Sequence, residues 1–308
     1  MLLGIDIGGT KTAVILGERD GTTHARRQMA TPGDLPPEQI VDLIAGVARD
    51  LLAARAGADV EAVGVSIGGP LDSETGTILG PPHLPRWQNV PLAVWLEARL
   101  DAPVYVEHDA RAGALAEWWF GAGHTADGNS VSDLVFLTLG TGIGAGIISG
   151  GRLLHGRTSR TAEVGHWRVA PDGPEIFGKR GSWESYCGGA GIAALAAQRF
   201  PHRFGGTDVA GLAALARSGD VDARAIFDES ARRLGEGLAL LADLFAPDLV
   251  VLGALGVRIG DLLIPGAVKA LHAEALPAVA ERCRVVPAAL GERIGDVAAL
   301  CAALYRLG

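Results

Sequence analysis

The chain has 308 residues, 48% of them hydrophobic and 20% charged, with a formal net charge of -8, and this length suits two medium cores. An acidic surface is not drawn to nucleic acid or anionic membrane, and no Lys/Arg run reverses the balance. No apolar stretch nears the roughly 20 residues of a membrane span, the start MLLGIDIGG lacks the basic opening of a leader, and three widely spaced cysteines, Cys187, Cys283 and Cys301, suit reduced thiols in a cytoplasmic protein.

In chain order, LLGID and TAVILG read as two short strands joined by the glycine turn IGGTK, and after the turn GERDG, THARRQMA reads as a third. Apolar residues at helical spacing predict a helix from Pro36 to Ala56. A buried strand, VEAVGVSIGG, follows, then an irregular proline-rich segment from Pro70 to Pro91, the helix PLAVWLEARL, the strand APVYVEHDA and a helix RAGALAEWWFGAG ended by glycine. The pattern then restarts: DLVFLTLG, the turn TGIGAG, GIISGG and RLLHG repeat the order strand, glycine turn, strand, turn, strand. Beyond a loop from Gly165 to Gly189, helices are expected near Gly191 to Phe200, Val209 to Ser218 and Asp222 to Phe245. The strand DLVVLGALG, a helix from Gly260 to Ala275, the strand RVVPAAL and a last helix GDVAALCAALYRL complete the chain. A repeated meander followed by alternating helices and strands predicts a duplicated α/β unit.

The glycine loops are candidates for holding phosphate. GIDIGGTKT lacks the GxxxxGK[ST] spacing and leads into a strand, so neither a P-loop nor a dinucleotide fingerprint fits. The amides of Gly8 and Gly9, the hydroxyls of Thr10 and Thr12, and Lys11 are expected to form an anion nest. An ordinary glycine turn is the competing reading. Asp6, ending the first strand, is expected to orient a magnesium-bound water. The second loop, with Gly140, Thr141, Gly142 and Gly144, repeats the arrangement, and Gly253 ends a strand where a nucleoside is expected to lie.

The succession DIGGTK, SIGGPLD, EHDARAGALAE, LTLGTGIGAGII with GGRLLHG, AEVGH, a glycine-punctuated loop ending in Glu, and VVLG resembles the ROK family of bacterial sugar kinases and repressors over essentially the whole chain. The resemblance implies an α/β, actin-like ATPase fold (duplicated RNase-H-like) with two domains around an ATP and sugar cleft, and a homodimer. The expected domains are residues 1–120 with the C-terminal helix about 293–308, and residues 121–292. The first motif begins at Asp6, which by this reading leaves no space for the repressors' helix-turn-helix and favours the kinase branch.

Phosphorylating a hydroxyl needs a base for its proton and, with ATP, Mg2+ to spread the phosphoryl charge. By the resemblance Asp109 is that base, although an Asp at a strand-to-helix junction is more often an N-cap. His108 stands where the family generally has Asn, so the sugar epimer is left open, and a ring that merely packs is the alternative. The resemblance also implies that Glu163 and Glu184 receive sugar hydroxyls and that His166 contacts the sugar, against the default of surface charges for the acids. Gly68 and Gly69 are expected to let backbone approach the sugar; His83, Asn89 and His155 have weaker support.

In many members the His corresponding to His166 also binds zinc with a CxCGxxGCxE loop. Here the loop is EIFGKRGSWE: Glu175, Phe177 and Ser182 fill the three cysteine positions, while Gly178, Gly181 and Glu184 remain. One His and one Glu without thiolate do not make a structural zinc site, so no zinc is expected. Phe177 and Trp183 by packing, and Lys179 or Arg180 by pairing with acids, are expected to order the loop instead. The resulting expectation is an ATP-dependent kinase acting on the 6-hydroxyl of glucose, with N-acetylglucosamine, N-acetylmannosamine, fructose or allose as alternative acceptors and polyphosphate as an alternative donor. A catalytically silent sugar-sensing regulator on the same fold is the alternative of another class.

Overall fold

The computed structural model describes residues 1–55, 59–125, 127–156 and 162–308. The chain forms two compact units, one of Met1–Gly121, Leu153–Thr161 and Glu292–Gly308, the other of Ala122–Arg152 and Ala162–Gly291.

The first unit is built on five strands: β1 (Leu2–Ile7), β2 (Lys11–Gly17), β3 (Thr23–Ala30), β4 (Ala62–Ile67) and β5 (Val104–His108), in the order β3-β2-β1-β4-β5. β1 pairs antiparallel with β2 and parallel with β4, which pairs parallel with β5. Strand alternation decides what each face buries. Leu3, Ile5 and Ile7 of β1 enter a core with Ile40, Val41 and Ile44 from the helix Pro37–Ala53, the stretch whose apolar spacing predicts a helix. Its expected end, Ala56, lies outside the described residues. The opposite face carries Leu2, Gly4 and Asp6. There Leu2 packs with Ala299, Leu300 and Ala303 of the C-terminal helix Ile294–Leu307. That helix lies close because two strand positions have no side chain: a Cβ on Gly64 would stand 2.0 Å from the Ala299 carbonyl oxygen, and one on Gly4 3.1 Å from the Ala299 Cβ.

The second unit repeats the topology. β6 (Leu134–Leu139), β7 (Ile143–Ser149), β8 (Arg152–Leu153), β9 (Leu249–Ala254) and β10 (Arg284–Pro287) follow the order β8-β7-β6-β9-β10, with the same sense of pairing around β6. The duplicated unit expected from the sequence is therefore present. The long helix Val221–Phe245 packs on Gly260–Glu274, and a Cβ on Gly235 would meet the Ala267 carbonyl oxygen at 2.3 Å, so that crossing also depends on a missing side chain. Among the described residues no helix is long and apolar enough to cross a membrane.

Candidate active site

In the first unit the β1–β2 hairpin closes with the Gly8 amide donating to the Lys11 carbonyl at 2.9 Å. The Gly8 amide, expected in the anion nest, is thus spent inside the hairpin, while Thr10 and Lys11 are exposed. Thr12 corrects the expectation: it is fully buried, and its hydroxyl shares a 2.8 Å hydrogen bond with Thr31, so it orders the hairpin instead of offering a donor.

Asp6, next to last in β1, lies on the face covered by the C-terminal helix, and a Cβ on Gly295 would lie 2.5 Å from its Oδ2. Burial pushes its carboxyl up to about 6, the negative charges of Asp109 and Asp296 add to the rise, and a hydrogen bond from Ser66 opposes it. Asp296 is held by Arg26, whose Nε donates to both carboxylate oxygens at 2.9 and 3.0 Å. Ser66 lies in register with Asp6 on the paired strand β4, whereas Gly295 and Asp296 come from the other end of the chain, which no local pattern around Asp6 signals.

β5 delivers His108 and Asp109 to the mouth of the helix Asp109–Phe120. The cap is His108, not Asp109: the His108 Nδ1 stands 3.2 Å from the Ala110 amide and 3.1 Å from Asp109 Oδ1. The ring is thus engaged locally through Nδ1 in either tautomer, and Nε2 is the atom left for a ligand. Asp109, the first helical residue, accepts the Ala110 amide on Oδ1 at 2.6 Å, while its Oδ2 would stand 3.0 Å from a Cβ on Gly68. That same Cβ would lie 3.3 Å from His83 Cε1, so His83 belongs to this neighbourhood. Gly69, at φ 101°, is required, since its Cβ would strike Pro81 at 2.4 Å. Asn89 is an exposed turn residue at φ 54°.

In the second unit the turn Gly140, Thr141, Gly142 docks on the mouth of the helix Gly189–Arg199: the Gly189 amide donates to the Gly140 carbonyl at 2.7 Å and the Ala190 amide to the Thr141 carbonyl at 3.1 Å. A cavity of about 540 Å³ opens beside it, lined by Gly140, Thr141, Ala190, Val209, Leu255 and Ile259 among others. Gly144 and Gly253 do not line it. Both lie within strands, opposite Thr138, and Gly253 is glycine because the Phe136 ring would stand 2.7 Å from its Cβ. The apolar wall comes from residues just after β9, where the sequence shows only ordinary Ala, Leu and Ile.

The same unit gathers three of the predicted sugar residues. Glu163 precedes the short turn Val164–His166, and the Nε2 of exposed His166 lies 3.7 Å from Glu184 Oε1. Glu184 is 5% exposed, and its buried Oε1 has no hydrogen-bond partner. Burial raises its carboxyl above the usual range; His166 and Lys179 oppose the rise and Glu163 adds to it. A buried acceptor with no partner is costly to the fold.

The loop leading to Glu184 is a hairpin, Glu175–Ile176 against Lys179–Arg180, closed by Phe177 and Gly178 at φ 48° and 74°. Two consecutive left-handed residues make the type I′ turn that matches strand twist. Phe177 is 54% exposed and so does not pack the loop down, contrary to expectation. Trp183 does: fully buried, it stacks on Trp167 at 5.9 Å and donates from Nε1 to the Arg233 carbonyl at 2.9 Å. Arg180 pairs with Glu175 at 3.0 Å, while Lys179 donates to the His166 carbonyl in place of an acid. Ser182, at a former cysteine position, caps the helix Trp183–Cys187 that carries Glu184. Among the described residues no group of three or more His, Cys, Asp or Glu is arranged to hold a metal ion.

The model of the ROK family matches residues 2–304. The chain belongs to the ROK family. This ROK protein is 35% identical to a glucokinase of Streptomyces coelicolor over 86% of its length and 84% of that protein's. It is 33% identical to an N-acetylmannosamine kinase of Escherichia coli O139:H28, over 85% and 86% of the two chains. A ROK family glucokinase from Streptomyces griseus, solved in complex with glucose and AMPPNP, superposes with a TM-score of 0.78 at 35% identity, covering 100% of this chain and 99% of that one. The two sheets of one order are the duplicated halves of the actin-like ATPase fold.

Proposed function

We propose that this ROK protein transfers the γ-phosphoryl group of ATP to the 6-hydroxyl of a hexose, glucose first. It is an enzyme of the ATP-dependent sugar kinase class, which its glucokinase and N-acetylmannosamine kinase relatives share. The observation that carries the reading is Asp109: a carboxylate at the strand-to-helix junction whose Oδ1 is used by the Ala110 amide and whose Oδ2 is turned toward Gly68.

In this reading Oδ2 of Asp109 accepts the proton of the attacking hydroxyl. His108, through Nε2, and Glu163, His166 and Glu184 hold the other hydroxyls, with the partnerless Glu184 Oε1 supplying an acceptor already stripped of water. The turns at Gly8–Lys11 and Gly140–Gly142 hold phosphates through outward amides, and the cavity beside Leu255 takes the nucleoside. In the same reading Asp6 orients a water of the Mg2+ that arrives with ATP, and its buried carboxylate, crowded by the charges of Asp109 and Asp296, would be relieved by a hydrated cation. Bound with ATP, Mg2+ supplies charge to the transferring phosphoryl group. A cytoplasmic homodimer whose two compact units are the two actin-like domains belongs to the same reading.

N-acetylmannosamine is the second acceptor, favoured by the kinase relative for that sugar, while His108 leaves the other hexoses open. A coupled ADP-release assay over a panel of hexoses, with ATP or polyphosphate as donor, ranks them. In that assay Asp109→Asn should keep sugar binding and lose about 100- to 10,000-fold in kcat; retained turnover sinks the assignment.

A further inference from the structure

We propose that His155 is a positioning residue for Asp109, acting through a hydrogen bond to the buried carboxylate of Glu107. The proposal rests on the reading of Asp109 as the base.

Glu107 is 4% exposed and immediately precedes the His108–Asp109 pair. Its Oε1 accepts from the His108 amide at 2.8 Å, from Arg111 Nε at 2.6 Å and from Ser73 Oγ at 3.1 Å. The carboxylate therefore holds the chain on both sides of Asp109, at the peptide entering His108 and at Arg111 in the first helical turn. Where the Asp109 carboxylate stands is set by these two anchors.

Oε2 of Glu107 is held from a distant part of the chain, by His155 Nε2 at 2.7 Å. The imidazole is aimed by a second contact, its ring lying 5.7 Å from that of Tyr305 on the C-terminal helix. Hydrogen bonds from His155 and the His108 amide, with the charges of Arg111 and His155, hold the Glu107 carboxyl down to about 2 against the effect of burial. A buried anion needs donors on both oxygens. Without His155 the carboxylate must turn or take up a proton, and either change loosens its grip on the His108 amide. A misplacement of about 1 Å at a reacting group costs on the order of 100-fold in rate.

A purely structural ion cluster would show in thermal stability alone. The test compares full-length wild type, His155→Phe, His155→Gln and Asp109→Asn for kcat, for KM of sugar and ATP, and for Tm. Phe keeps a ring against Tyr305 without a donor; Gln restores an N–H donor. His155→Phe should lose about 100-fold in kcat with both KM values within about threefold of wild type, and His155→Gln should recover most of that loss. Wild-type kcat in His155→Phe, equal losses in the two variants, or a loss confined to KM overturns the proposal. If His155→Phe does not fold, Tyr305→Leu removes the ring that aims the imidazole and must lower kcat with KM kept; wild-type kcat there overturns the proposal equally. Turnover by Asp109→Asn would instead bring down the reading of Asp109 as base, whatever the His155 variants do.

Discussion

Asp6→Asn should make the protein more stable and inactive. The Asp6 carboxyl is held at about 6 in the folded chain, against an ordinary 3.8 when unfolded, first by burial and then by the charges of Asp109 and Asp296. A raised carboxyl favours the folded state fully below 3.8, and that contribution is lost as the pH climbs through about 6. At pH 7.5 the folded chain therefore carries an ionised group that it disfavours. The interval from 3.8 to about 6, at about 1.36 kcal/mol per pH unit, comes to an upper value of about 3 kcal/mol. Hydration of a residue that keeps some exposure reduces this to about 1–3 kcal/mol, a rise of several degrees in Tm. Urea or thermal unfolding of wild type and Asp6→Asn at pH 7.5 and pH 4, without nucleotide, reads it. The gain should be present at pH 7.5 and shrink toward pH 4, and, on the proposed role of Asp6 in orienting a metal-bound water, ADP release should fall to background. Asp6→Asn less stable than wild type at pH 7.5, or a gain that grows on acidification, refutes the reasoning.

Gly142→Ala sets a Cβ 2.5 Å from Glu184 Oε2 and should raise the sugar KM about 10-fold or more, read by steady-state kinetics with the hexose varied at saturating ATP. His108→Ala should lose about 1 kcal/mol of cap stability, whereas His108→Asn keeps a good cap, so that any change in its hexose preference in the panel assay belongs to the sugar contact and not to the helix. Trp183→Ala should cost about 3–5 kcal/mol in denaturant unfolding, since the indole is fully buried against Trp167, while exposed Phe177→Ala should leave the midpoint within about 0.5 kcal/mol of wild type.

What could be read from the sequence was carried by short-range patterns. Alternation in LLGID and the glycine turn after it define β1, the hairpin and the side on which Asp6 emerges. The same signals return at LTLGTGIG, and the two sheets share one order. Glu163, His166 and Glu184 meet because AEVGH and the following loop close on each other within one unit. Contacts between distant segments were not legible. Nothing near Asp6 announces Gly295 and Asp296, and nothing in RLLHG announces that His155 lies on Glu107. Residue type also misled where a glycine or hydroxyl serves packing: Gly253 makes space for Phe136, and Thr12 spends its hydroxyl on Thr31. The aromatic pair in the Glu184 loop divided for a similar reason, since a type I′ turn points the Phe177 side chain outward while the helix cap at Ser182 turns Trp183 into the core.

The hairpin that carries the chain to Glu184 has a consequence for how such an enzyme ages. Main-chain pairing from Glu175 to Arg180, an indole in the core and a serine cap neither coordinate an ion nor expose a sulfur. On the proposed reading of Glu184 as a sugar ligand, its position rests on packing and backbone pairing and needs no thiolate. The loop should soften by degrees as temperature rises, fraying from the exposed Phe177 end, where a metal-clamped version would let go all at once.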